Sequence, residues 1–398
     1  MTFFPIEEIN AADLNEHHID YYFKSAYKPL VIRGGAAHFP AVQKWKTDFE
    51  YLKSRCGDNF VYVRTETDRA EYRKGQRYKI NRMEFGKYLD RITSNDRKAR
   101  SSYMAVTNIR YRLGSIIGDV PLCDFEASPN HQSDRVRVFR LFANNGHKFK
   151  LHSGPHLWIA PRAHYEFCHF DPDDSILCMI DGTKRARIFS PHFLDSMAVN
   201  AKGTKGRTIQ SQIDFAECFD GTKIKETVFD RFPRFKEENV YGYSAELRAG
   251  DILFIPAFWF HQITSLTTSI SINYFCGDFD DGKCHFPTRI MRDCFPSMKH
   301  WFLNLIEQNR NYKQFLSVLS NLESSIFNTF YKQWHDFLTK EQVERLREEV
   351  IEYVMDEKVR RKEDIYYEYG DLRNKDNLPK IHRNHPFIKI RGLLYRDD

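Results

Sequence analysis

Six short apolar segments fall between about Val136 and Asp278: VRVFRLF, HLWIA, SILCMI, RARIFS, DILFIP and TSISINYF, each bounded by turn residues. Runs this short, rich in β-branched and aromatic residues and without long helical stretches between them, predict a β-sandwich or barrel. The flanks read differently. Upstream, KPLVIRGG (Lys28 to Gly35) predicts a buried strand closed by glycines, and NFVYVRTE (Asn59 to Glu66) alternates as a half-buried strand does. After Pro296 the period changes, with apolar residues at Trp301, Phe302, Leu305 and Ile306, then at Phe315, Leu319, Leu322, Ile326, Phe330, Trp334 and Phe337. That is helical spacing. Thr339 and Gln342 form a capping box ahead of Val343, Leu346, Val350 and Val354, and the last thirty or so residues read as an irregular tail. The expected organisation is an α+β lead-in over 1–135, a β-barrel over 136–280, and a helical region with a tail over 281–398.

Several function classes drop out on composition. The longest apolar run, Asp251 to Phe260, is far short of the roughly 20 residues a membrane helix needs. The N-terminus lacks a basic segment followed by an apolar one, so a soluble chain of the cytoplasm or nucleus is expected. Eight cysteines are scattered without a C-x-x-C pair, which points to reduced packing thiols, Cys168 included, and not to a disulfide framework or a thiolate zinc site. The net charge of +6 is uneven: between Arg64 and Arg112 there are 14 Lys or Arg against 6 Asp or Glu, interleaved with Tyr72, Tyr78, Tyr88, Tyr103 and Tyr111. Such a mixture suits phosphates and stacked bases, though an ordinary solvated face has the same composition.

The chemistry-bearing candidates lie in the β region. His169 and Asp171 stand two apart, so in a strand their side chains share a face and an imidazole and a carboxylate converge. His261, after GDILFIPAFWF, would complete two His and one carboxylate, a set that leaves open positions on iron(II). A rival pair, His164 and Glu166, sits at odd offsets and would face the other way in a regular strand. His152 and His156 flank Gly154 and Pro155, which disfavour a helix between them and imply loop residues. Phe258, Trp259 and Phe260 read as core, with one ring near the pocket mouth.

HFD followed by SILCMIDGTKRARIFSP, then GDILFIPAFWFHQI and SISINYF, resembles the JmjC oxygenases of the cupin superfamily, over about residues 20 to 280. The resemblance implies a double-stranded β-helix (jelly-roll) barrel, mainly β with α. It also implies iron(II) on His169, Asp171 and His261, with 2-oxoglutarate as co-substrate bound by Lys184. Lys184 stands 15 positions after His169, the family interval, whereas the rival pair would give 20. Tyr103 matches a tyrosine placed against the same carboxylate, Asn273 an asparagine lining the pocket, and Ser175 the position of another pocket asparagine. One departure is Glu166, where the family usually has Thr or Ser; a carboxylate there would repel the co-substrate unless it turns outward or pairs with a neighbour such as Arg162.

Within the family, KPLVIRG, AKGTKGR (Ala201 to Arg207) and GDILFIPAFWFHQI are similar to the small hydroxylase branch, the transfer-RNA wybutosine hydroxylases above all. That resemblance implies hydroxylation of a modified guanosine, with transfer RNA as partner and no membrane. A protein side-chain hydroxylase or lysyl demethylase, and a catalytically silent JmjC binding module, are the alternative readings. The stripe from Trp301 to Phe337 suits either a homodimer formed through C-terminal helices or a cover over one barrel end.

Overall fold

The computed structural model describes residues 1–65, 79–94, 102–104, 107–121, 137–144, 155–199, 209–215, 219–220, 223–237 and 239–276, with single positions beyond. The chain divides into two compact units, Met1–Gly277 and Asp278–Asp398. In the second unit Ser297, His300, Lys340, Glu344 and Glu348 have helical conformation. The expected helix stripe, the homodimer surface and the tail otherwise lie outside the described residues, as does AKGTKGR. Among the described residues no helix is long and apolar enough to cross a membrane.

The first unit is built from sixteen described strands: β1 (Phe3–Pro5), β2 (Glu7–Asn10), β3 (Leu30–Arg33), β4 (Phe60–Thr65), β5 (Lys79–Glu84), β6 (Tyr103–Met104), β7 (Thr107–Asn108), β8 (His156–Ala160), β9 (Asp174–Asp181), β10 (Thr183–Phe189), β11 (Phe219–Asp220), β12 (Lys223–Ile224), β13 (Gly242–Arg248), β14 (Ile252–Ile255), β15 (Phe260–Ser265) and β16 (Ser269–Cys276). They make a seven-stranded sheet of order β2-β3-β14-β9-β16-β8-β7 and a four-stranded sheet of order β1-β13-β10-β15. Together the two sheets form the jelly-roll barrel. A three-stranded sheet, β5-β4-β6, belongs to the lead-in. The N-terminus serves both barrel sheets, because β1 pairs parallel with β13 in one and β2 pairs parallel with β3 in the other.

The barrel interior follows from strand alternation. Leu177 and Met179 of β9, Ala186 and Ile188 of β10, Leu247 of β13 and Leu253 and Ile255 of β14 form one buried cluster with Ile6, Val31 and Trp259. Strand β16 inverts the usual pattern: Ser269, Ser271 and Asn273 share the face of Met179 and Leu177, while Ile270, Ile272 and Tyr274 point to the back of the sheet. All six are buried. A turn at Gly182 carries the chain from β9 in one sheet to β10 in the other; its φ is +78°, and a Cβ there would meet the Thr268 carbonyl oxygen at 2.3 Å, so only glycine fits this turn.

One expected strand is a helix. Of VRVFRLF, the residues from Arg137 to Phe142 lie within a helix spanning Arg137–Asn144, where Val138, Phe139 and Phe142 are buried and Arg140 is exposed; Val136 lies outside the described residues. Both periods fit seven residues of this kind, but alternation would put Arg140 on the same face as Val138 and Phe142, whereas the helical turn removes it from the core. The helix covers the back of the larger sheet: Phe139 packs on Tyr274 of β16 at 5.0 Å between centroids, and Phe142 on Phe23, itself stacked at 3.6 Å on Phe254 of β14.

Candidate metal centre and anion pocket

The segment carrying His169 and Asp171 is not a regular strand. His169 makes isolated bridges, donating its N–H to the His261 carbonyl at 3.2 Å and accepting from the His261 N–H at 2.7 Å. This two-way exchange sets the two histidines directly opposite each other. On the other flank Ser211 N–H donates to the Cys168 carbonyl at 2.9 Å, and Phe170 N–H to that of Ile209 at 3.2 Å. The Asp171 carbonyl accepts from Phe258 N–H at 2.8 Å. Phe258 sits at φ 64°, a left-handed conformation that a bulky side chain adopts only under constraint. Phe258, Trp259 and Phe260 are all buried, so this aromatic run builds the turn that delivers His261.

Both imidazoles are oriented by their own strands. His169 Nδ1 lies 2.8 Å from the Phe167 carbonyl oxygen and His261 Nδ1 lies 3.0 Å from that of Trp259. A carbonyl only accepts, so each Nδ1 carries the proton and each Nε2 keeps its lone pair for a metal. Asp171 Oδ2 stands 3.8 Å from His169 Nε2 and 3.6 Å from His261 Nε2, and the three donor atoms lie within 4.8 Å of one another. Two imidazoles and one carboxylate, contributed by segments ninety residues apart in sequence and facing the barrel interior, form a donor set that fits iron(II).

Deeper in the barrel, Lys184 of β10 is 5% exposed and donates to Ser271 Oγ at 2.6 Å. Among the described residues no carboxylate pairs with it, and burial pushes its pKa down to about 7. Ser271 lies opposite both Met179 of β9 and Trp158 of β8. Trp158 has a buried indole N–H with no described partner. Ser175 donates to Asn273 Oδ1 at 2.7 Å across β9 and β16. An ammonium from the four-stranded sheet thus reaches across the interior to the wall of the seven-stranded sheet that carries an indole N–H and an amide group, a surface suited to an anion.

Tyr103 of β6 is buried and stacks on the His164 ring at 3.8 Å between centroids, with Trp158 at 6.2 Å. Glu166 pairs with Arg64 of β4, its Oε1 3.0 Å from Nη1, and Arg64 lies 5.7 Å over the Tyr103 ring. The expected partner Arg162 is exposed, so the acid is met by a cation 102 residues away. Neither member of the rival pair joins the donor set among the described residues. His156 opens strand β8 with its ring 5.7 Å from Phe275, so it is a strand residue and not the expected loop residue; His152 lies outside the described residues. Sequence reasoning passed over Ser271, Trp158 and Arg64. Only the first left a signal, since serine, serine and asparagine at alternate positions of SISINYF mark a polar inward face.

A jelly-roll barrel with two histidines and a carboxylate on its inner wall is the architecture of cupin metalloproteins. The chain belongs to the cupin-like domain family, in its JmjC group: the family pattern matches residues 19–281. It is similar to tRNA wybutosine-synthesizing protein 5 of Homo sapiens, 27% identical over 270 residues, covering 62% of this chain and 70% of that one. It is also similar to lysine-specific demethylase JMJ30 of Arabidopsis thaliana, 24% over 261 residues, covering 64% and 51%. JmjC domain-containing protein F of Dictyostelium discoideum is 23% identical over 290 residues, covering 62% and 56%. The chain spans about half the length of the last two relatives.

Proposed function

We propose that this chain is an iron(II)- and 2-oxoglutarate-dependent oxygenase that hydroxylates a modified guanosine of the wybutosine type in transfer RNA. The observation that carries the oxygenase reading is Lys184, a buried ammonium that among the described residues has only a hydroxyl partner, on the barrel wall that also carries three metal donors. His169, Asp171 and His261 hold the metal. Lys184 and Ser271 take the far carboxylate of 2-oxoglutarate; Tyr103, Asn273 and Ser175 line the same pocket. Bound iron(II), with 2-oxoglutarate and oxygen, supplies oxidation of a substrate C–H bond, releasing succinate and carbon dioxide. The protein's own part is to fix the imidazole tautomers, neutralise the co-substrate and exclude water through the aromatic turn around Phe258. The RNA reading is supported by the human relative named for tRNA wybutosine synthesis, 70% of whose length is matched, against 51% for the demethylase. A transfer-RNA substrate fits a cytoplasmic or nuclear site of action.

The test is anaerobic iron(II) titration with and without 2-oxoglutarate, followed by succinate measurement in air. His169→Ala and Asp171→Ala are expected to abolish both binding and turnover. Unchanged iron affinity in both variants would overturn the centre, and an inert parent chain would favour the silent module. Digested transfer RNA is then searched for hydroxylated nucleoside; product on peptides and none on RNA would move the reading to a protein hydroxylase or demethylase, the class to which the JMJ30 similarity points.

A further inference from the structure

On strand β4, Val61 and Val63 are fully buried while Phe60 and Tyr62 are 42% and 41% exposed. Phe60, Tyr62 and Arg64 therefore form a row on the outer face of the three-stranded sheet, recurring at about 6.7 Å per pair of residues. Each exposed ring carries an arginine: Arg82 of the neighbouring strand β5 lies 3.9 Å over Phe60, and Arg112 lies 4.6 Å over Tyr62. Beside Arg112, the Tyr111 ring is 70% exposed. Arg82 and Arg112 differ from most described cations near the barrel. Lys28 is paired with Glu7, Arg33 with Glu8 and Asp251, Lys44 with Asp119, Lys53 with Asp90 and Arg185 with Glu246. Neither arginine has a carboxylate partner among the described residues, and the acid on this face, Glu84, is neutralised by Lys87 at 3.0 Å. The row ends at Arg64, opposite Tyr103, where the sheet meets the pocket wall.

We infer that this face is the docking track for a single-stranded stretch of the RNA substrate, leading its target nucleotide toward the pocket; the inference rests on the reading of the barrel as an RNA oxygenase. A guanidinium held over a ring presents a flat platform on which a base stacks, and its N–H edge remains directed outward for phosphate. Charge decides the class of partner, since two cations without a carboxylate partner among the described residues, set beside exposed rings, attract a polyanion with aromatic bases. An acidic peptide would use the cations and leave the rings idle.

The experiment measures anisotropy of a labelled single-stranded uridine 12-mer and of total transfer RNA across a potassium chloride series, using the full chain. The double variant Arg82→Ala with Arg112→Ala is expected to lower affinity for both RNAs about a hundredfold near 0.1 M salt and to reduce the salt slope by about two. Tyr62→Leu is expected to weaken binding roughly tenfold, the size of one stacked base. Thermal melting of each variant checks that these exposed substitutions leave the fold intact. Parental RNA affinity in the double variant overturns the track. So does an acidic peptide binding with the same salt slope while Tyr62→Leu has no effect, which would assign the face to a protein partner. RNA binding that needs the track but yields no hydroxylated nucleoside would overturn the oxygenase reading alone. Hydroxylation at parental kcat/KM in the double variant would overturn the track alone.

Discussion

Two fully buried charges stand near opposite ends of the strands flanking the Gly182 turn, and the protein treats them differently. Asp174, at the start of β9, accepts from Tyr27 OH at 2.6 Å and from Ala257 N–H at 2.8 Å, and these bonds tie the lead-in to the turn before His261. Burial pushes its pKa up to about 6, with those two donors opposing the shift. Among the described residues, Lys184 has one hydroxyl partner and no opposite charge. A buried charge with donors supplied by the fold holds architecture together; one left short of a counter-ion is poised for a ligand.

The largest expected effect tests the architectural half. Asp174→Ala removes the acceptor of the Tyr27 hydroxyl and leaves the Ala257 N–H only its 3.1 Å bond to that hydroxyl's oxygen, and a stability loss of roughly 3 kcal/mol is expected in denaturant titration. Parental stability would mean that the bonds at Asp174 contribute nothing net. Next comes Lys184→Ala, which is expected to weaken 2-oxoglutarate by about 2 kcal/mol, near thirtyfold, in calorimetry. The same substitution removes an uncompensated buried ammonium, so the melting temperature should hold or rise. A fall in stability with unchanged co-substrate affinity would reverse the roles assigned to the two charges.

Protonation sharpens the contrast further. The carboxyl of Asp174 holds its proton more firmly folded than unfolded, so it subtracts stability as pH rises from about 4 through about 6, and Asp174→Asn should flatten that part of the profile. For Lys184 the folded pKa is depressed, so its contribution to stability grows as pH rises from about 7 toward the unfolded value. Co-substrate binding runs the other way: an anion needs the ammonium, and affinity should weaken as pH climbs above about 7, a dependence lost in Lys184→Met. The smallest effect belongs to Glu166→Thr. Its ion pair with Arg64 is about a quarter exposed and worth less than about 1 kcal/mol, and co-substrate affinity should stay equal or improve. A large loss would give the acid a positive role.

How far these arrangements could be read beforehand depends on how local the signal is. The two-residue spacing of His169 and Asp171, the run leading to His261 and the polar alternation of SISINYF are local, and strand geometry turns them into a shared inner face. The helix spanning Arg137–Asn144 was not legible, because seven residues satisfy two periods and the aromatic residues Phe23 and Tyr274, which decide between them, come from distant segments. Arg64 as partner of Glu166 was hidden for the same reason. Irregular backbone around His169 also removes the strand alternation, one of the two sequence grounds against the rival pair; the other, the 15-position interval to Lys184, does not depend on it. What separates that pair in the structure is its neighbours, Tyr103 beside His164 and Arg64 beside Glu166.

The division of the first ten residues between both barrel sheets has a consequence in time. Strand β1 pairs with β13 at Phe3 and Gly242, 239 positions apart. At 5–20 residues per second on the ribosome, the first strand waits on the order of ten to fifty seconds for its partner to be synthesised. Closing so long a loop is slow and keeps β1 an unpaired edge throughout, with Phe3 and Phe4 open to chaperones or to a neighbouring nascent chain. Barrel closure thus waits until β13 has been synthesised, and the yield of active protein should be more sensitive to translation speed and chaperone supply than the stability of the finished barrel would suggest.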